Sequence, residues 1–379
     1  MRIALFTETF LPKIDGIVTV VCLLLDHLAK RGVESVIVAP KMGVDQYNRT
    51  RVIGVPGVTF PLYPELKVGP PTLSTYQQLK SFRPDASHFI HPALIGVPGM
   101  LMSRRLGIPT IASFHLDLAR IAHHYNLGFI EPITDLMTRV VFNAADCALA
   151  PSRQIKHEME SLGVKNVGLW KRGVDAEKFN PRYKSAAMRD QLSDGHPEDT
   201  LLLYVGRVSS EKQIDQIKPV LEAVPGTRLA IVGNGPARAD LEKHFAGTPT
   251  KFMGFMQGEA LSQAYASADM FVFPSALETF GLVVVEAMAA GLPVVSSRVG
   301  GVRDVVAEGK TGYTFDVGDI QGMIDGVRQI AVSRERIAQM GRDARAFAET
   351  QSWEAMMDEV IEIYARLIEA NKAARLLAA

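Results

Sequence analysis

Residues 273–301 read FPSALETFGLVVVEAMAAGLPVVSSRVGG, and this stretch decides the fold class. Its first apolar run ends at Pro274-Ser275 and predicts a strand. Glu278 follows at the strand's carboxyl edge. Thr279-Phe280-Gly281-Leu282 then turns into a helix whose first turns carry Glu286. Helix amino termini hold unpaired N–H groups and the positive end of the dipole, so they attract anions. Two carboxylates eight positions apart, flanking such a terminus, suit a ligand that is part phosphate and part polyol. The phosphate takes the N–H groups and the hydroxyls take the carboxylates. A nucleotide sugar has that chemistry.

Outward from this stretch the chain alternates strand and helix in both directions, as doubly wound parallel sheets do. In the second half, strands are predicted at 201–205, 228–232, 250–252, 270–274 and 293–296. Helices are predicted at 216–221, 237–244, 261–267 and 282–290. The first half gives strands at 2–5, 35–39, 51–53, 59–61, 86–90, 110–114 and 147–150, with helices at 17–30, 76–82, 96–106 and 133–144. The strands are continuous apolar runs, as expected where both sheet faces are covered. The polar, turn-rich segment 180–200 reads as a linker or a peripheral excursion, and 353–379 as a long amphipathic helix. The expected fold is α/β, two Rossmann-like domains facing across a cleft. Residues 1–175 form an acceptor-binding domain and 176–356 a nucleotide-sugar-binding domain. The helix at about 357–379 is expected to pack back on the first.

A length of 379 residues, 47% hydrophobic and 22% charged, is ordinary for an α/β protein of two or three domains. Lys+Arg and Asp+Glu are both 41, so overall charge points to no nucleic acid. The charge is uneven, however: residues 1–175 carry a net +5 and the remainder a net −5. A basic half suits anionic phosphates or an anionic membrane surface, although ordinary scatter explains it equally well. The two cysteines, Cys22 and Cys147, have no metal or redox spacing and read as buried, reduced core residues. The amino terminus reads as a strand rather than a signal peptide, and no apolar run is long enough to span a bilayer. The expected location is cytoplasmic, peripheral on the cytoplasmic face of a membrane.

Polar punctuation recurs at the carboxyl ends of the predicted strands, where open parallel sheets bind ligands. Gly206-Arg207 follows one strand, and Arg207 and Lys212 are close enough in sequence to converge on a diphosphate. No Asp-x-Asp pair exists to carry that diphosphate on a metal, and no metal or cofactor is expected. Gly233-Asn234 with Gly235-Pro236 ends another strand, and glycine there allows close backbone approach. Gly254-Phe255 suits a nucleobase edge. Gly16, at the first helix start, suits a phosphate, while Asp15 equally suits a plain cap. His115 ends a strand, with Asp117 two residues on. His91, His123 and His124 lack a third ligand at metal spacing. Residues 62–68 and 118–130 mix apolar, aromatic and basic side chains in loop-like settings that suit lipid contact or packing on their own core. Each feature alone has a plain structural reading; their recurrence at strand ends favours function.

These residues resemble the retaining glycosyltransferases of family 4, which have the GT-B fold. The carriers are ETFGLVVVEAMAAGLPVV, with Glu278 and Glu286, then VGR at 205–207 with Lys212, VGNGP at 232–236 and RVGGVRD at 298–304. A finer resemblance runs through MRIALFTETFLPKIDGIVT, PLYPELK, LWKRGVD, YVGRVSSEKQIDQIKPVLEAVP, HFAGT and LSQAYASAD. These are similar to sulfoquinovosyltransferases, which move sulfoquinovose from UDP-sulfoquinovose to diacylglycerol. Lipid-directed mannosyltransferases share LWKRGVD and the paired glutamates. Where the sulfolipid enzymes carry a Tyr-His-Thr-His-like run, this chain has Phe114-His115-Leu116-Asp117.

The resemblance implies roles. Glu286 binds the donor ribose and Glu278 the hydroxyls of the transferred sugar. The N–H groups of Phe280 to Leu282, with Thr279 beside them and Arg207 and Lys212, hold the diphosphate. Gly206, Gly233 and Asn234 line the donor, and Gly254 and Phe255 lie at the base. Gly16 approaches the phosphate or acceptor, and His115 lies beside the sugar. The expected reaction is metal-independent transfer, with retained configuration, from a UDP-sugar or GDP-sugar to a lipid acceptor such as diacylglycerol. A GDP-mannose-dependent mannosyltransferase acting on a glycolipid is the alternative. From other classes, a nucleotide-sugar epimerase or phosphorylase would need no lipid acceptor, and a carbohydrate-binding module would need no nucleotide.

Overall fold

A computed structural model of the chain describes residues 1–13, 16–60, 63–115, 131–171, 173–278 and 281–378, the side chains of 59–68 and 378 aside. The chain divides into two compact units. One joins Met1–Lys171 with Glu354–Ala379, and the other is Arg172–Trp353.

The first unit holds β1 (Arg2–Thr7), β2 (Glu34–Pro40), β3 (Gln46–Tyr47), β4 (Thr50–Val55), β5 (Val58–Phe60), β6 (Tyr63–Val68), β7 (Ala86–Ile90), β8 (Thr110–Ser113), β9 (Cys147–Ala150) and β10 (Val167–Leu169). Its main sheet runs β10-β9-β8-β7-β1-β2-β4-β3, parallel throughout except for β3 against β4. Ala4, Phe6, Val36, Val38, Phe89 and Ala112 build one face of its core, with Phe6 stacked on Phe89 at 4.6 Å. The helix Gly16–Lys30 buries Val18, Val21, Leu24, Leu25 and Leu28, the helical spacing of a core-facing stripe. Glu8, just after β1, has a structural task. Its carboxylate accepts the N–H groups of Ala93, Ile95 and Gly96 at 2.9–3.0 Å, capping the helix Gly96–Arg105.

The second unit holds β11 (Thr200–Val205), β12 (Thr227–Val232), β13 (Thr250–Gly254), β14 (Met270–Phe273), β15 (Val294–Ser297) and β16 (Gly312–Phe315). All pairs are parallel, in the order β13-β12-β11-β14-β15-β16. Strand order therefore reverses between β11 and β14, where Leu202 pairs with Met270 and Leu203 with Phe271. Open parallel sheets bind ligands at the carboxyl ends of the strands beside such a reversal.

Several expectations need correction. Residues 63–68 form a strand, β6, paired antiparallel with β5, not a loop. The supposed linker 180–200 is part of the second unit: its helix Ala186–Leu192 sends Met188 and Leu192 into the core beside Phe179. The two cysteines are half-buried, not core residues. The helices Arg153–Ser161, Ile320–Ala331 and Arg334–Glu349, with β10 and β16, were not foreseen. The helix Trp353–Ala378 follows the expected tail and from Glu354 onward belongs to the first unit. No helix among the described residues is long and apolar enough to cross a membrane.

Candidate active site

At the reversal point, β11 is followed by Gly206-Arg207 and β14 by Pro274-Ser275. The two following loops are tied together, because the Ala276 N–H donates to the Glu211 carbonyl at 2.9 Å. Lys212 closes the first loop in a short 3-10 turn. Its Nζ lies 3.2 Å from Glu278 Oε2 and 3.3 Å from the Leu277 carbonyl, and 5.2 Å over the Phe273 ring. Both partners of this ion pair are largely shielded, at 17% and 19% exposure. Lys212 turns to Glu278, and the Arg207 side chain is exposed while its carbonyl accepts the Tyr204 hydroxyl.

Three glycines stand at adjacent strand ends. The Gly206 N–H donates to the Val232 carbonyl at 3.0 Å, and the Gly233 N–H to the Gly254 carbonyl at 2.8 Å. At Gly233, φ is +141°, and a Cβ would lie 1.9 Å from the Gly206 carbonyl oxygen. No other residue fits that crossing. Asn234 is exposed; its carbonyl accepts from Val208, and its Oδ1 from the Gly235 N–H. Phe255 is 66% exposed, an aromatic face open beside Gly254.

The helix Leu282–Ala289 begins after Gly281, which sits at φ +84° against Val302. Val284 donates back to the Gly281 carbonyl at 2.9 Å, and the N–H groups of the first turn precede the intrahelical ladder. Thr279 and Phe280 lie outside the described residues. One turn on, Glu286 accepts the hydroxyl of Tyr265 at 2.9 Å. Burial pushes the Glu286 carboxyl up to about 7, against the Tyr265 hydrogen bond and the positive charge of Lys178. Burial likewise holds the Tyr204 and Tyr265 hydroxyls protonated.

Gly16 and His115 belong to the first unit. Gly16 opens its helix and is exposed. His115 is buried directly after β8, its Nε2 2.8 Å from Ser113 Oγ. Asp15, Asp117, His123 and His124 lie outside the described residues. Among the described residues, one group of three possible metal donors comes together, His196, Glu198 and Asp199, ahead of β11 and away from the strand carboxyl ends.

Residues 14–178 match the family described as Glycosyltransferase Family 4, and residues 190–347 the family described as Glycosyl transferases group 1. A sulfoquinovosyl transferase of Arabidopsis thaliana is 36% identical over 372 residues, covering 95% of this chain and 72% of that protein. The chain belongs to glycosyltransferase family 4. A GDP-mannose-dependent alpha-mannosyltransferase of Mycobacterium tuberculosis is 35% identical over 373 residues, 96% of each chain. In fold, this family 4 member resembles a sucrose-phosphate synthase from Thermosynechococcus elongatus, with a TM-score of 0.78 and 20% identity over 97% of this chain and 99% of that one. The architecture is GT-B, two parallel-sheet Rossmann-like domains, and the protein is a glycosyltransferase.

Sequence reasoning missed the residues that hold the family 4 motif in shape. Tyr265, 21 positions before Glu286, is fully buried, and no periodicity connects the two. Ser275 donates to the Leu277 carbonyl at 2.8 Å, and Ser297 at the end of β15 donates to the Ser275 carbonyl. Ser296 donates to the Phe273 carbonyl at 3.0 Å. These buried serines replace the ladder where β14 gives way to the Glu278 loop. The only signal for them was SS at the end of an otherwise apolar strand.

Proposed function

We propose that the protein moves a sugar from a nucleotide-sugar donor to a lipid acceptor, without a metal and with retained anomeric configuration. Sulfoquinovose passing from UDP-sulfoquinovose to diacylglycerol is the reading its motifs favour. The observation that carries this reading is the shielded Lys212–Glu278 pair at the strand-order reversal, beside the helix that bears Glu286. Leaving diphosphate charge builds next to Lys212, and preorganised cations and N–H donors stabilise it at no reorganisation cost. Glu278, oriented by Lys212, accepts from sugar hydroxyls. Glu286, steadied by Tyr265, accepts from the ribose. Gly206, Gly233 and Gly254 allow the backbone close to the nucleotide, with Asn234 and Phe255 at its edge. The leaving phosphate takes the acceptor's proton, so the carboxylates need not act as an acid–base pair.

A lipid acceptor is supported by the helix Glu131–Asn143. Ile133, Leu136, Met137 and Val140 recur at helical spacing and are more than half exposed, with exposed Arg139 among them. Such a stripe on a net-basic half suits the surface of an anionic membrane. The GDP-mannose reading is favoured by the near-equal identity to the mannosyltransferase over its whole length and by Asp117 in place of a second histidine. A thermal-shift panel separates them. UDP-sulfoquinovose should raise the melting temperature most; GDP-mannose doing so selects the mannosyl reading, and no response to any nucleotide sugar refutes both.

A further inference from the structure

In the first unit a buried line of polar groups ends on His115. Tyr364, on the helix Trp353–Ala378, is fully buried, and its hydroxyl lies 2.6 Å from His88 Nδ1 on β7. His88 Nε2 lies 2.9 Å from Ser113 Oγ at the end of β8. Ser113 Oγ lies 2.8 Å from His115 Nε2. His88, Ser113 and Tyr364 are no more than 1% exposed and His115 is 7% exposed. Trp170 packs against both imidazoles, its ring centre 5.2 Å from His88 and 5.4 Å from His115.

Counting protons gives this line a direction. Tyr364 has one hydroxyl proton, and among the described residues His88 is its only hydrogen-bond partner. A buried hydroxyl that accepted from His88 would leave its own proton unmet, at a cost of about 1–3 kcal/mol. Tyr364 therefore donates to His88 Nδ1; burial also keeps that phenol protonated. His88 then carries its proton on Nε2 and donates to Ser113 Oγ. The Ser113 proton has two acceptors in reach, His115 Nε2 at 2.8 Å and the Phe89 carbonyl at 3.5 Å. The second is at the outer limit of a hydrogen bond, so the proton goes to His115.

We propose that Tyr364, His88 and Ser113 are positioning residues that hold His115 as the neutral tautomer protonated on Nδ1. The consequence for transfer rests on the reading of His115 as the residue beside the sugar. With Nε2 accepting from Ser113, the other ring nitrogen is an N–H donor, whose chemistry suits an acceptor oxygen such as a sulfonate or hydroxyl lone pair. It has no lone pair left with which to take the acceptor's proton, so His115 orients and does not serve as general base. The last group in the relay comes from the carboxyl-terminal helix, to which the chain returns only after completing the second unit.

The test uses the full chain with its nine histidines labelled with ¹⁵N and ring ¹H–¹⁵N correlation at neutral pH. His115 is assigned by the signals lost in His115→Gln. Wild type should show His115 protonated on Nδ1 with a bare Nε2. Tyr364→Phe and Ser113→Ala should each move those ring shifts towards a mixture of tautomers. An Nε2-protonated or doubly protonated His115 in wild type overturns the proposal, whether or not the variants fold. So do ring shifts that both variants leave unchanged. In the transfer assay with UDP-sulfoquinovose, or GDP-mannose if that is the donor, Ser113→Ala should lower kcat about 10- to 100-fold with donor KM unchanged. Full turnover in His115→Gln removes the role beside the sugar, while the ring shifts decide the relay separately.

Discussion

Glu286 is the residue whose titration carries most consequence. In an unfolded chain its carboxyl titrates near 4.5, and in the folded protein burial moves it to about 7. Between those values the folded state binds more protons than the unfolded one. Stability therefore falls as pH rises through that window, and the loss is complete above it. Glu286→Gln keeps an acceptor for Tyr265 and removes the charge. It should match wild type near pH 4.5 and be more stable by about 3 kcal/mol at pH 8, in melts followed across pH. Ribose hydroxyls, as donors, favour the ionised carboxylate. Nucleotide-sugar affinity should rise between pH 6 and pH 8 in wild type and stay flat in Glu286→Gln, by calorimetry with a diphosphate diester that does not itself titrate there. At Lys212 the expected effect is on rate. Lys212→Ala should lower kcat about 10²–10³-fold, as loss of one preorganised charge does. Because Lys212 and Glu278 touch, Lys212→Ala and Glu278→Gln combined should cost clearly less than the sum of their separate effects. Additive losses would mean that the pair does not act as a unit.

Among the elements, the strand ends and the loops that leave them matter most. Gly233→Ala puts a methyl group 1.9 Å from a carbonyl oxygen that β11 holds in place, so it should unfold the second unit or cost about 3 kcal/mol or more. Gly247, also at positive φ but with nothing within 4 Å, should lose only about 1 kcal/mol as alanine. Urea titrations of the two variants compare them, and equal losses would contradict the close crossing. This is also the scale at which the sequence was most legible. The buried parallel strands are unbroken apolar runs, and β7 and β9 fall where those runs predict them. The helix Ala186–Leu192 was not legible, because only Met188 and Leu192 of its seven residues are buried, too few to show a helical period. Strand β6 was hidden by Pro64 and by alternation too irregular to read. Glu278 and Glu286 could be found from spacing, but their partners Lys212 and Tyr265 are set by tertiary neighbours 66 and 21 residues away. Sequence spacing put Lys212 near Arg207, but it held no sign of the ion pair with Glu278.

For the whole molecule, the net charge of zero conceals a basic first half and an acidic second half. The basic half also carries the exposed stripe on the helix Glu131–Asn143. Vesicles containing anionic phospholipid should therefore recruit the protein at low salt and release it as salt screens the attraction. Changing Ile133, Leu136 and Val140 together to Ser should weaken flotation at every salt concentration. Flotation that survives both changes would place lipid contact elsewhere. The central claim is narrower: the nucleotide sugar is gripped at the carboxyl ends of β11 and β14. A crystal structure with UDP or GDP bound tests it most directly. The account predicts the ribose within hydrogen-bond distance of Glu286 and the diphosphate at the amino end of the helix Leu282–Ala289, beside Lys212. A nucleotide bound to other residues, with no ribose hydroxyl on Glu286, would contradict it.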